Sequence, residues 1–190
     1  MRVFAYCAQA FRDSVSKAAG VTPVTSPPLT AESFPPALLM GYDLLMFDLH
    51  GRYGRSVWYG QPDGPIPGRV TALTDRQVRS VNLGGAVVFA SSCHMDRDAP
   101  MLAALLDAGA SCVIGGDGIN YGGRQSPTGA GLLGLWVRRW LGLGLSPDMA
   151  LRLAKARLVI DVIRFRLGGD GPNWLAAKDA LGFRVYRSVI

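Results

Sequence analysis

Short apolar segments alternate with helical patterns along this sequence, and the alternation limits the possible folds more than any other feature does. The apolar segments of strand length are Val3–Cys7, Asp43–Leu49, Ala86–Ala90 and Cys112–Ile114. Parallel strands need a helix-sized crossover between them, so strands that alternate with helices indicate a parallel sheet. The sequence therefore predicts one α/β domain over residues 1–190, with a doubly wound, mostly parallel sheet of about five or six strands flanked by helices.

The last long helix has clear start signals and one apolar face. Ser146 is a suitable N-cap, and Pro147 suits the first helical position. The negative charge of Asp148 interacts favourably with the positive N-terminal end of the helix dipole. The pattern continues to about Arg166. One apolar stripe runs along this helix and is predicted to face the core: Leu151, Ala154, Leu158, Val162 and Phe165.

Two further segments have strand character. Gln61–Gly64 resembles a turn and predicts a hairpin tip between Val57–Tyr59 and Ile66. The chain closes with a strand-like run, Phe183–Val189.

The composition supports a full hydrophobic core and argues against disorder, with 49% hydrophobic and 18% charged residues. The net charge is +6, but most of the 20 Lys and Arg residues are Arg, and they are scattered along the chain. Scattered charge does not build the basic patch that nucleic-acid binding favours. A nucleic-acid-associated accessory protein stays open as an alternative that rests on this charge alone.

Residue usage points to a cytoplasmic protein without a metal or cofactor. The 3 cysteines form no CxxC pair, as is typical of a reducing compartment, and 2 histidines are too few for an ordinary zinc site. The apolar N-terminus is too short for a signal peptide, and arginines interrupt the apolar stretch Ala130–Leu145. The glycines of Gly115–Gly118 complete no nucleotide motif, so we interpret them as a mobile loop at the rim of a site.

Reactive side chains follow two of the predicted strands. His50 comes after Asp43–Leu49, and Cys93 comes shortly after Ala86–Ala90. We predict that these two strands are adjacent in the sheet. Neighbouring strands lie about 4.8 Å apart, so the two residues would then meet over one crevice. A histidine beside a cysteine can take its proton and so generate the attacking thiolate. Gly51 and Cys93 could supply backbone N–H groups for an oxyanion hole.

The other cysteines and the second histidine are assigned no chemistry. Cys7 and Cys112 sit in or beside apolar strands and are interpreted as structural. His94 adjoins Cys93, but consecutive residues of an extended segment project in different directions, so His50 is preferred as the base. A strand-end cysteine can also be purely structural, and a His-Gly step can be a plain turn.

At these residues the sequence resembles the caspase-like cysteine peptidases of the caspase–hemoglobinase fold, above all the CHAT domain, which is related to separase. The shared features are an apolar strand ending in His-Gly, Leu44–Gly51, and a later one ending in Cys, Val87–Cys93. Ser92–His94 looks like the Ser-Cys-His step of metacaspases. A following helix, a Gly-Ala turn, another strand and a later Ala-Leu-x-x-Ala-Lys helix extend the likeness over roughly Val3–Leu158.

The resemblance implies a Cys-His dyad acting on a protein or peptide substrate. In it Cys93 is the nucleophile, His50 is the general acid and base, and the Gly51 N–H belongs to the oxyanion hole. It also implies cleavage after a residue selected by a pocket, often Arg or Lys in the separase-like and metacaspase branches. The expected function is therefore a cysteine endopeptidase.

The sequence departs from the metacaspase pattern at one position of that pocket. Metacaspases carry Asp two residues before the catalytic Cys, where this sequence has Ser91. Asp117, just past the strand after the Cys strand, is the favoured substitute, and Asp48 is the reserve. Asp63 is a further candidate, and each of the three could instead be a solvated turn or capping residue. An alternative keeps the caspase-like fold but makes it a binding or scaffold module whose dyad is unused.

Overall fold

A computed structural model describes residues 1–64, 68–120, 122–166 and 174–188 of the chain. Its main sheet has 6 strands in the spatial order β2-β1-β3-β6-β7-β8. The strands of this sheet are β1 (Val3–Ala8), β2 (Val24–Ser26), β3 (Leu44–Asp48), β6 (Val87–Ala90), β7 (Cys112–Gly115) and β8 (Arg184–Tyr186).

The prediction of a mostly parallel α/β sheet is confirmed. Strands β2, β1, β3, β6 and β7 pair in parallel, and only β8 runs antiparallel, against β7. All residues of β3 are buried, as a central strand covered by helices on both faces requires. The edge strand β2 is short and is followed by Pro27 and Pro28, which fit a sheet edge because proline donates no ladder hydrogen bond.

A separate hairpin stands beside the carboxyl end of β3. It consists of β4 (Val57–Gly60) and β5 (Val70–Thr74), which pair antiparallel. The first strand of the expected hairpin, Val57–Tyr59, is part of β4. The return strand is β5, and Ile66, at which it was expected, lies outside the described residues. Because His50 forms an isolated bridge with Tyr59, the hairpin is joined to the segment that leaves β3.

Helices cover both faces of the main sheet. They are α1 (Arg12–Ala19), α2 (Asp75–Arg79), α3 (Pro100–Asp107), α4 (Gly129–Gly142), α5 (Pro147–Arg166) and α6 (Trp174–Leu181), with short 3-10 helices at Gln9–Phe11 and Pro36–Leu39. The 3-10 turn at Gln9–Phe11 leads directly into α1, and Gly20 closes α1 at φ 68°. Glycine tolerates that left-handed conformation because it has no Cβ.

Two hydrophobic clusters hold the layers together, one on each face of the sheet. Tyr6, Phe47 and Trp58 belong to the cluster under α2 and α3. Met46 and Phe89 point to the other cluster, which α1, α4, α5 and α6 cover. The side chain of Phe165 lies outside the described part of the structure. The other residues of the predicted inner stripe of α5 are all buried, as expected: Leu151, Ala154, Leu158 and Val162.

Within the ranges described, no helix combines the length and the apolar character needed to cross a membrane.

Candidate active site

The segments carrying His50 and Cys93 leave adjacent strands at the same edge of the sheet. Strand β3 pairs with β6 from Leu44 opposite Val87 up to Phe47 opposite Ala90. The pairing continues for one more step, because the backbone N–H of Ser91 donates to the carbonyl of Phe47 at 2.9 Å. The adjacency expected from the sequence is thus confirmed, and both segments enter the crevice beyond the carboxyl ends of the strands.

Gly51 packs directly on the backbone of Cys93. A Cβ added to Gly51 would lie 2.1 Å from the carbonyl oxygen of Cys93 and 3.2 Å from its nitrogen. Only glycine allows this approach without displacing backbone. The close contact also brings the Gly51 N–H to the Cys93 thiol, where its hydrogen bond lowers the thiol pKa.

The loop after β7 lies against the same sulfur. The backbone N–H of Asn120 donates to Cys93 Sγ at 3.3 Å, and the Asn120 carbonyl oxygen stands 3.7 Å from that sulfur. Asn120 is anchored there because its side-chain Nδ2 donates to the carbonyl of Ser92 at 2.9 Å. Asn120 was not predicted as a site residue, although it continues the glycine-rich loop that was expected at the rim of a site.

The residue after the cysteine adopts an unusual backbone conformation. His94 has a φ of 59°, the left-handed region that non-glycine residues rarely occupy. Two backbone hydrogen bonds join this bend to the loop after β7. The His94 N–H donates to the carbonyl of Gly118 at 2.8 Å, and the Met95 N–H donates to the carbonyl of Gly116 at 3.0 Å. The His94 ring meets the edge of Tyr53 at a centroid distance of 6.0 Å. Strained residues of this kind cluster at functional sites.

Burial dominates the electrostatics of the Cys93 thiol. Burial raises the pKa of Cys93, while the N–H groups of Asn120 and Gly51 lower it by hydrogen bonding to sulfur. The Asp48 carboxylate also raises the Cys93 pKa, and the Arg69 guanidinium lowers it. The resting cysteine is therefore a thiol that needs a base to become an attacking thiolate.

The imidazole of His50 is oriented by Gln61 and Phe11. Its Nε2 lies 2.7 Å from Gln61 Oε1, and its ring packs on Phe11 at a centroid distance of 5.4 Å. Since an amide oxygen only accepts, Nε2 carries the proton, and Nδ1 is the basic nitrogen of the neutral ring. Burial lowers the pKa of His50, which favours that neutral form. Gln61 was not predicted as a site residue, because only the fold of the hairpin strand β4 brings it to His50.

No hydrogen bond joins the Cys93 sulfur to a ring nitrogen of His50 in the part of the chain that the structure describes. The sulfur is instead contacted by the Asn120 backbone, and one imidazole nitrogen of His50 is contacted by Gln61.

The candidate acidic residues occupy very different surroundings. Asp48 is only 9% exposed, and its burial raises its pKa to about 6, with a hydrogen bond from Ser91 acting in the opposite direction. A Cβ on Gly122 would stand 3.5 Å from Asp48 Oδ2. Asp117 is exposed, lies 3.5 Å from the Arg184 guanidinium and accepts a hydrogen bond from the Tyr186 hydroxyl.

The remaining candidates contribute no reactive group to the crevice. Asp63 is exposed, and its backbone N–H donates to Gln9 Oε1 at 3.4 Å. Cys7 and Cys112 are buried, and burial raises the pKa of both thiols. Among the residues described, no group of 3 or more His, Cys, Asp and Glu side chains is placed to hold a metal ion.

No protein-family model matches this chain, and no curated protein matches it.

Proposed function

We propose that this protein is a caspase-like cysteine endopeptidase in which Cys93 is the nucleophile and His50 is the general base. The observation that carries the proposal is the emergence of both residues from adjacent parallel strands, with Gly51 packed on the Cys93 backbone. This arrangement supports a nucleophile, a base and a backbone N–H donor at one strand edge.

The proposed reaction transfers an acyl group through Cys93. His50 Nδ1 takes the thiol proton while Sγ attacks the carbonyl carbon of the scissile peptide bond. The resulting oxyanion is stabilised by backbone N–H groups, with Gly51 as the leading donor. Collapse breaks the C–N bond, and His50 returns its proton to the leaving amine. Water, deprotonated by His50, then hydrolyses the thioester and restores the Cys93 thiol.

Gln61 and Asn120 have supporting roles in this scheme. The Gln61 amide oxygen holds the proton on His50 Nε2, which leaves Nδ1 free to accept the thiol proton. The Asn120 backbone contacts the sulfur, so it has to shift when a substrate carbonyl takes its place. A glycine-rich loop suits that movement because glycine accesses more backbone conformations than other residues.

We further propose that the protein prefers Arg or Lys before the scissile bond and that the Asp48 carboxylate recognises this basic side chain. A buried carboxylate gives a guanidinium a charged, planar acceptor, and partial desolvation strengthens the pair. Asp48 lies beside Ser91, so the neighbouring strand supplies an acid next to the position at which metacaspases carry one. Asp117 is the weaker candidate, because its carboxylate is already paired with Arg184.

The test is a panel of peptides that differ only at the residue before the scissile bond. We expect wild type to cleave basic peptides fastest, Cys93→Ala to cleave none, and Cys112→Ser to match wild type. Asp48→Asn should remove the basic preference while Asp117→Asn keeps it. Full activity in Cys93→Ala would end the peptidase proposal, whereas equal cleavage of basic and neutral peptides would end only the assignment of Asp48.

The second candidate function is a caspase-like binding or scaffold module with an unused dyad. It is favoured by the raised pKa of Cys93 and by the Asn120 backbone on its sulfur. A thiol-reactive probe separates the two functions. Labelling of Cys93 that falls in His50→Ala supports catalysis, whereas slow labelling that is insensitive to this substitution supports the unused dyad.

A further inference from the structure

Helix α5 carries a second apolar stripe on the side opposite its buried one. Met149, Leu153, Ile160 and Ile163 are 41%, 36%, 43% and 55% exposed. The exposed Ala156 completes the row. The inner face of α5 is already filled by the core, so this outer row adds nothing to the packing of the domain.

The spacing of this outer row matches a helix-packing seam. From Met149 to Ile163 the steps along the sequence are 4, 3, 4 and 3 residues. Such steps average 3.5 residues and keep apolar side chains on one line, as in helices that pack along each other. Scattered exposed apolar residues need no explanation, but a continuous row over about two heptads does.

Arginines border the outer row. Arg152 and Arg164 flank it and are exposed. Arg157 also flanks it, pairs with Asp161 at 3.0 Å and lies 4.7 Å from the centre of the Trp136 ring. Arg139 stands over the same ring at 4.7 Å.

No acidic residue of α5 offsets these arginines on the outer row. Asp161 is buried and accepts a hydrogen bond from Trp136 Nε1 at 3.0 Å, in addition to its pair with Arg157. Asp148, at the start of the helix, is paired with Arg187. The border of the row is therefore positively charged.

We propose that the outer face of α5 is a docking surface for an acidic amphipathic helix of a partner protein. An apolar seam with arginines beside it complements a helix that carries aliphatic residues at the seam and Glu or Asp beside them. A second copy of this chain would set arginine against arginine, and like charges at such positions are destabilising. The row is aliphatic, whereas single-stranded nucleic acids favour aromatic stacking platforms.

The direct test uses the whole chain and a labelled helical peptide of about three heptads, with Leu at the seam and Glu beside it. A matched peptide carries Lys in place of Glu. We expect the acidic peptide to bind and the basic one to bind at least about tenfold more weakly. The double variant L153S/I160S should weaken acidic-peptide binding at least about tenfold, whereas Met40→Ser, at an exposed apolar residue elsewhere, should leave it unchanged.

A charge exchange gives the sharper result. R152E/R164E should bind the basic peptide better than the acidic one, whereas Arg76→Glu, an exposed arginine on α2, should behave as wild type. Circular dichroism checks that each variant is folded.

Several outcomes overturn the proposal. These are no binding of the acidic peptide, equal binding of both peptides, and binding that is unaffected by L153S/I160S. Two further ones point to other occupants: a wild-type dimer that L153S/I160S dissociates indicates a second copy, and binding only to phosphatidylserine-containing vesicles indicates a lipid surface.

Discussion

The Cα of Gly51 stands against the backbone of Cys93 so closely that a Cβ would lie 2.1 Å from the Cys93 carbonyl oxygen. The strands that lead into the two segments are paired up to Phe47 and Ala90, and the Ser91 N–H extends this pairing by one step. The contact therefore couples the His-Gly step to the cysteine through main-chain atoms alone. Glycine at position 51 follows from steric exclusion, whatever chemistry the site performs.

Replacing Gly51 with alanine should consequently damage both stability and activity. The added methyl group has to push the Cys93 carbonyl away, which moves the sulfur and the N–H groups around it. We expect Gly51→Ala to lower the free energy of unfolding by about 2 kcal/mol or more and to reduce peptide cleavage at least about a hundredfold.

The matched control is Gly68→Ala, because a Cβ on Gly68 meets no atom within 4 Å. Urea unfolding and cleavage rates are measured on both variants. Wild-type stability in Gly51→Ala would contradict the close contact, and wild-type cleavage would contradict its role in placing the sulfur.

The dyad is tested by removing each of its members. Cys93→Ala and His50→Ala should each abolish hydrolysis, because one removes the nucleophile and the other removes the base. Cys7→Ser and Cys112→Ser should affect only stability, since both thiols are buried. Loss of activity without loss of fold in Cys7→Ser or Cys112→Ser would show that the nucleophile is assigned to the wrong cysteine.

Gln61 is expected to act on the reaction through His50. Gln61→Ala removes the acceptor for the Nε2 proton, so we expect a fall in kcat of about tenfold or more with little change in KM. Gln61→Glu places a carboxylate there, which should raise the pKa of His50 and move the acidic limb of the pH–rate profile upward.

The exposed Gln125 provides the control, as Gln125→Ala should keep the wild-type profile. The measurement is kcat/KM across pH for all three variants. An unmoved acidic limb in Gln61→Glu would mean that Gln61 does not set the protonation of His50.

Asp48 should make the protein less stable as pH rises through the mildly acidic range. Burial raises its pKa from 3.8 to about 6, so between these values the folded protein keeps a proton that the unfolded chain has lost. The free energy of unfolding falls as pH rises through that range. Above the range, the total loss levels off at about 3 kcal/mol.

Asp48→Asn should therefore be more stable than wild type at pH 7 by about 2 to 3 kcal/mol, and no more stable near pH 3. Denaturant unfolding of both proteins across pH measures the difference directly. A gain in stability accompanied by loss of the basic preference would mark Asp48 as a residue kept for function. A difference that does not change with pH would contradict the raised pKa.

The strands that position the site were predictable because each is a short apolar run bounded by breakers. Strand β3 was expected as a central strand, and it occupies that place with every residue buried. Strand β5 and helices α2 and α6 were not predicted. Helix α2 has only 5 residues, too few for a helical period to show in the sequence.

The neighbours of the dyad were beyond prediction for a different reason. Gln61 reaches His50 because β4 folds back to form a bridge between Tyr59 and His50. Asn120 reaches Cys93 because the loop after β7 returns over the sulfur. Contacts made by loops produce no periodic pattern in the sequence. Such contacts can therefore be recognised only in the three-dimensional structure.

By itself the sequence determined the α/β class and the strand ends that carry His50 and Cys93. Both follow from local patterns, since apolar runs of strand length form strands wherever helices can cover them. The tertiary structure alone decided that Asp48 is buried while Asp117 is paired with Arg184, and that α5 presents a second apolar row. These properties depend on which surfaces meet when the layers pack, and packing joins residues that are far apart along the chain.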